Sequence, residues 1–184
     1  MKKQWMNRIL KPFFCAAVIA VLFSGLAACH KEPAYIENPI VRNLTNTERK
    51  LLGEIEASGI QVIKEGMVFT FVIPTDCFFV KQTRALKSHR EKDLDWLAQF
   101  IYRYSMYFAR PTVTITGHTD KTWLSPARDV LSMHYAEVVA AYFREDGIDP
   151  NIMTVNGKGA EHPIASNRYP MGTAFNRRVV ITIR

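Results

Sequence analysis

The chain has 184 residues, 48% of them hydrophobic, and a formal net charge of +7. That is room for one domain with a real core, and neither a second large domain nor a disordered chain is suggested. Four of the 24 Lys and Arg and none of the 17 Asp and Glu lie in residues 1–28, so the remainder carries only +3, with no basic run to suggest nucleic acid as a partner.

Residues 1–28 open with Lys2, Lys3, Arg8 and Lys11 and continue into an apolar run at 13–22 that is too short to span a bilayer comfortably. They read as an export signal. Leu26-Ala27-Ala28-Cys29 resembles the bacterial lipoprotein box, in which small residues suit the peptidase and the cysteine sulfur takes a diacylglycerol. Cys29 is then the lipidated N-terminus, and several acyl chains anchor a protein where one would not. His30 stands where an aspartate would retain the protein at the inner membrane, which favours the outer membrane and a periplasmic domain. The other reading of the same residues is an uncleaved membrane anchor with an incidental cysteine.

Residues 30–43 contain Pro33 and Pro39 and no periodicity, so 29–44 is expected to be a tether reaching at most roughly 50 Å, with the domain over 45–184. Cys15 departs with the leader and Cys29 is acylated. Only Cys77 remains, no intramolecular disulfide is possible, and Cys77 is expected to be a small buried apolar residue.

Thr45 and Glu48 have the spacing of a capping box, and Leu51, Leu52 and Ile55 give the following helix one apolar face before Ser58-Gly59 stops it. Residues 60–63 and 67–73 are β-rich runs joined by Lys64-Glu65-Gly66, a hairpin closed by Pro74. Leu94, Leu97, Ile101, Tyr104 and Phe108 recur at spacings of three and four, which predicts a helix over 90–108. Trp96, Phe100, Tyr102 and Tyr107 make it richer in rings than one buried face requires; they mark either a protein contact or packing under a loop.

Residues 112–116 are mostly β-branched and form a strand that Gly117 ends, leaving His118, Thr119 and Asp120 on a loop where a scaffold can present them to a ligand. Ser125-Pro126 starts a helix lined by Val130, Leu131, Tyr135, Val138, Val139 and Tyr142 and stopped by Gly147. A turn at Asp149-Pro150, a strand at 152–155, a loop at 157–172 and a strand at 178–183 complete the chain. The order β-β-α-β-α-β-β makes the fold class an α/β (α+β) sandwich, a mixed β-sheet with helices packed on one face.

The motifs Gly117-His118-Thr119-Asp120, Leu131-Ser132, Gly157-Lys158-Gly159-Ala160-Glu161, Pro163, Asn167, Gly172 and Asn176-Arg177-Arg178 stand in an ordered spacing. By them the chain resembles the OmpA-like, peptidoglycan-associated domain from about Gly59 onward, including the segment from Ile73 to Phe79. With the leader it is similar to peptidoglycan-associated lipoproteins. The tether and aromatic helix are also similar to those of the small OmpA-like lipoprotein of type IVB (Dot/Icm) secretion machines.

The resemblance implies non-covalent binding of the peptidoglycan stem through diaminopimelate, a zwitterion held by an anion and a cation. Asp120 falls on the family's anion, with Thr119, His118 and Leu131 at neighbouring motif positions. Charge-assisted bonds of that kind are each worth roughly 1.5–3 kcal/mol. The family's arginine position is occupied here by Tyr135, which carries no charge. Arg128, about two turns earlier on the same side of the helix, either supplies the missing cation or is a solvated surface residue. Tyr135 otherwise extends the apolar face of Leu131 and Val138, and Trp123 replaces a small residue in the loop after Asp120. Asn176 and Arg177 either approach the ligand or brace the loop; Arg178, which begins a strand, is expected to brace it.

The first functional reading is therefore a lipid-anchored module that ties the outer membrane, or a secretion machine embedded in it, to the cell wall. The second is a docking subunit among envelope or secretion-system proteins with weak or lost wall binding, favoured by Tyr135 and Trp123. No GxSxG, HExxH or cysteine nucleophile with a base speaks for an enzyme, no cofactor is implied, and His118 has no partner at metal-ligand spacing.

Overall fold

The computed structural model describes residues 44–81, 83–122 and 126–184. The expectations placed on the leader, on Cys29, on the tether as far as residue 43, on Trp123 and on the side chain of Arg128 lie outside what it describes, whereas Leu44, expected as the last tether residue, is buried in the core. Helix α1 (Asn46–Ala57) begins where the capping box predicts: the Glu48 amide donates to the Thr45 hydroxyl, and the Glu48 carboxylate accepts from the Thr45 amide at 2.7 Å. A hairpin follows, β1 (Gln61–Glu65) and β2 (Val68–Pro74), turned at Gly66 with φ +60. The chain continues through α2 (Thr75–Phe78), α3 (Glu91–Ser105), β3 (Val113–His118), α4 (Pro126–Glu145), a 3-10 turn (Pro150–Ile152), β4 (Met153–Gly157), α5 (Pro170–Asn176) and β5 (Arg178–Ile183).

The five strands form one mixed sheet in the order β1-β2-β5-β3-β4, with β3 and β4 parallel and the other pairs antiparallel. The register puts Phe71, Ile181, Ile115 and Val155 in one row across it. Because side chains alternate along a strand, Phe69, Phe71, Ile73, Val113, Ile115, Val179, Ile181 and Ile183 all fall on one face, and all are buried. The adjacent row, Thr70, Thr182, Thr114 and Thr154, lies on the other face and is half-buried or exposed. Helices α1, α3 and α4 thus cover a single face, as the sequence predicts.

The rings of α3 divide between core and surface. Phe100 and Tyr104 meet Phe69 edge-on at 5.1 and 4.8 Å, whereas Tyr102 and Tyr107 remain exposed. On α4 the inward residues are Ser132, Tyr135, Ala136, Val139, Ala140 and Phe143. Val130, expected on that face, is 52% exposed, because the helix faces the sheet about one position further round.

Two short helices do not follow from periodicity. Helix α2 is one turn, and α5 is seven residues started by Pro170 in what the sequence offers as loop. Helix α2 also corrects the expectation for Cys77. Its single turn directs Thr75 and Phe78, three residues apart, into the core and leaves Asp76 and Cys77 exposed. Among the described residues no helix is long and apolar enough to cross a membrane.

Candidate functional site

The sheet register assembles the site. Strand β5 lies between β2 and β3 and runs antiparallel to both, so Arg178 at its start pairs with Pro74 at the end of β2 and with His118 at the end of β3. The residue just before β5, Arg177, therefore stands between the residues just after β2 and β3. Those are Asp76 and Asp120. Arg177 Nε and Nη2 donate to the two Asp76 oxygens at 2.8 and 2.5 Å, and Nη1 donates to Asp120 Oδ2. Such a planar fork reads carboxylates as lysine cannot.

Two glycines allow α4 to close over this end of the sheet. A Cβ on Gly117 would lie 1.9 Å from the Ser132 carbonyl oxygen, and one on Gly157 would lie 2.6 Å from the Met133 amide nitrogen. Backbone therefore packs on backbone. The buried Ser132 hydroxyl completes the seam, donating to the Asp129 carbonyl and accepting from the Gly159 amide at 2.9 Å, while the Thr119 amide donates to the Gly159 carbonyl at 2.7 Å. This is the physical content of the Leu131-Ser132 and Gly-x-Gly motifs.

The result is a cleft of about 460 Å³ lined by Thr75, Asp76, Phe79, Lys81, Lys87, Thr119, Asp120, Thr122, Leu131, Tyr135 and Arg177. Burial pushes the Asp120 carboxyl up, but hydrogen bonds from the Thr122 hydroxyl, the Arg177 guanidinium and the Thr122 amide outweigh it and hold the group below the usual range. Bonding to Asp76 first, then to Asp120, raises Arg177 despite its burial. Two carboxylates thus share one guanidinium, and this wall carries a net negative charge. Beside it the Thr119 hydroxyl is buried and has no hydrogen-bond partner among the described residues. Native structures rarely leave such a group unsatisfied, which fits a position that a ligand completes.

Of the residues selected from sequence, Asp120, Thr119, Leu131 and Arg177 meet in the cleft. His118 and Asn176 stand behind it. The His118 ring is buried and donates from Nδ1 to the Glu161 carbonyl at 3.2 Å; burial, then the nearby Arg178 charge, push it down to about 4. Asn176 accepts from the Ile164 and Ala165 amides at 2.9 and 3.0 Å and donates to the Ala165 carbonyl, bracing the 158–169 loop. Arg178 braces the same loop through the His162 carbonyl at 3.1 Å. Tyr135 is buried against Phe79, ring centroids 4.6 Å apart, as an extension of the apolar face. Sequence reasoning missed Asp76, Phe79, Lys81 and Lys87. Asp76 lies in a segment that carries the resemblance, directly after the strand-closing Pro74, and that position was its signal.

The model of the OmpA family matches residues 78–177. "Probable lipoprotein YiaD" of Escherichia coli is 29% identical over 136 residues, covering 74% of this chain and 60% of that one. "Outer membrane protein A" of Bordetella avium is 36% identical over 117 residues, covering 64% and 58%. The chain thus spans about three fifths of the length of these two relatives. "Outer-membrane lipoprotein YfiB" of Pseudomonas aeruginosa is 26% identical, covering 91% of each chain. Among solved structures, the cell wall anchor of the type VI secretion system of Pseudomonas aeruginosa superposes with a TM-score of 0.64 at 25% identity, over 74% of this chain and 95% of that one. With the family match covering more than half of its length, and with the five-stranded mixed sheet and its helices in place, the chain belongs to the OmpA family.

Proposed function

We propose that this protein is an outer-membrane lipoprotein, lipidated at Cys29, whose domain binds peptidoglycan non-covalently in the cleft at Asp120 and ties the membrane to the wall without cutting it. The observation that carries this reading is the Asp76–Arg177–Asp120 triad beside the unpartnered Thr119 hydroxyl. The triad gives the recess one anionic wall with a spare polar group, suited to the ammonium of a diamino acid in a stem peptide. Relatives support it by their names: two are lipoproteins, one is a "Peptidoglycan-binding protein ArfA" of Mycobacterium tuberculosis, and one solved structure is a cell wall anchor. In this reading Asp120, Thr119, Leu131 and Arg177 line the ligand site, while His118 and Asn176 hold its loops.

The test is co-sedimentation of the full chain, in detergent, with purified sacculi. Saturable binding that Asp120→Ala weakens at least tenfold supports the reading, and wild-type protein that stays in the supernatant overturns it.

A second reading, a docking subunit of a type IVB secretion core complex, is favoured by Tyr135. Its burial against Phe79 leaves no cation at that helix position. Exposed Tyr102, Met106 and Tyr107 at the end of α3 supply apolar surface for a protein contact. Retention of the full chain by the other envelope proteins of such a machine, without sacculus binding, would select this reading.

A further inference from the structure

The cleft has a second charged wall that the motifs do not reveal. After Phe79 the chain turns back on itself: Phe79 and Leu86 form a β-bridge, the Val80 amide donates to the Ala85 carbonyl at 2.8 Å, and the Lys87 amide donates to the Phe78 carbonyl at 2.8 Å. The turn places Lys81 near its start and Lys87 at its end, and both line the same cleft as Asp120.

Their ammoniums are available where the guanidinium is not. Arg177 directs Nε, Nη1 and Nη2 at carboxylates already. Lys87 Nζ gives one hydrogen bond, to the Asp76 carbonyl at 2.5 Å, which positions it and leaves two N–H groups. Lys81 has no side-chain hydrogen bond or ion pair among the described residues, and it is exposed. Among the described residues, those of α4 that line the cleft, Leu131 and the buried Tyr135, bring no formal charge.

We propose that Lys81 and Lys87 are the cationic half of this site: they take the carboxylate of a dipolar ligand whose ammonium lies at the Asp76–Arg177–Asp120 wall. The inference rests on the peptidoglycan reading above and adds to it the two side chains that meet the free carboxylate of its diamino acid. Replacing a helix-borne guanidinium by two loop-borne ammoniums has a consequence. Lysine offers a point charge without the bidentate geometry of arginine, so recognition of the carboxylate depends on its charge more than its shape, and falls as salt rises.

The experiment is calorimetric titration of the full chain in detergent with L-Ala-γ-D-Glu-meso-diaminopimelate-D-Ala, and with the same peptide carrying that diaminopimelate carboxylate as its amide. Wild type is expected to prefer the free acid at least tenfold, and the double substitution Lys81→Gln with Lys87→Gln to lose that preference while still binding the amide. Both positions are on the surface turn, and an unchanged melting temperature verifies that the variant is folded. A double variant that binds both peptides as wild type does overturns the lysine assignment and leaves the peptidoglycan reading standing. Wild type that binds neither peptide overturns both.

Discussion

Arg177 and Asp76 are joined by two parallel hydrogen bonds, 2.8 and 2.5 Å, although 101 residues separate them in the chain. The pair exists because β5 lies beside β2 in an antiparallel register that ends at Pro74 and Arg178. The third member, Asp120, arrives by the same logic from β3 on the other side.

Substituting Asp76 by Asn removes one of the two charges that share Arg177. The Asp76 side chain is 45% exposed, so the cost to folding is small, about 0.5–1 kcal/mol in chemical denaturation. Binding of a cationic amino-acid group should suffer more than folding, because the wall loses its net negative charge.

Gly117 and the Ser132 carbonyl cannot accommodate a side chain between them, since the added Cβ would lie 1.9 Å from that oxygen. Gly117→Ala must displace α4 from the sheet, and a loss of about 1–3 kcal/mol is expected in urea denaturation. The same displacement opens the cleft, so binding should fall even in the folded fraction.

Tyr135 contributes packing. Tyr135→Ala removes a buried ring set against Phe79 and is expected to cost about 3–5 kcal/mol. Tyr135→Phe keeps the ring and should retain most of that stability.

The pH response follows from His118. Its pKa is depressed to about 4 in the fold, while an unfolded histidine titrates near its ordinary value of about 6.5. Below the unfolded value the unfolded chain takes up a proton that the native ring refuses. The stabilising effect is therefore complete above about pH 6.5, declines as pH falls, and is lost below about 4, a total of roughly 2–4 kcal/mol. Asp120 acts in the same direction lower down: its depressed pKa contributes stability present above about 4 and lost as acid protonates the folded carboxyl. Denaturation of His118→Gln at pH 7 and 4.5 should show a smaller difference than wild type, since an amide can still donate to Glu161 but does not titrate.

Much of this was legible in the sequence. The capping box at Thr45, the closing run at 178–183 and the turn glycines are local signals, and each specifies its element where it stands. The resemblance supplied the expected role of Asp120 and the significance of the Asn176-Arg177-Arg178 block. What it could not supply was pairing: that Arg177 bonds Asp76 is a consequence of strand order, and local pattern does not encode strand order. Cys77 shows a similar limit. Set between Asp76 and Phe78-Phe79 it reads as core, but one helical turn sends Phe78 inward and leaves its neighbour outside. Helix α5 was hidden because Gly172 and Pro170 read as loop, whereas a proline at the first position suits a helix start and Gly172 packs against the Ser166 carbonyl.

The most direct test of the account is the sedimentation of the full chain with purified sacculi, wild type beside Asp120→Ala. Co-sedimentation that saturates for the wild type and falls at least tenfold for the variant, with unchanged folding, is the predicted result. Equal sedimentation of the two proteins, or none by either, would contradict the assignment of this cleft to peptidoglycan.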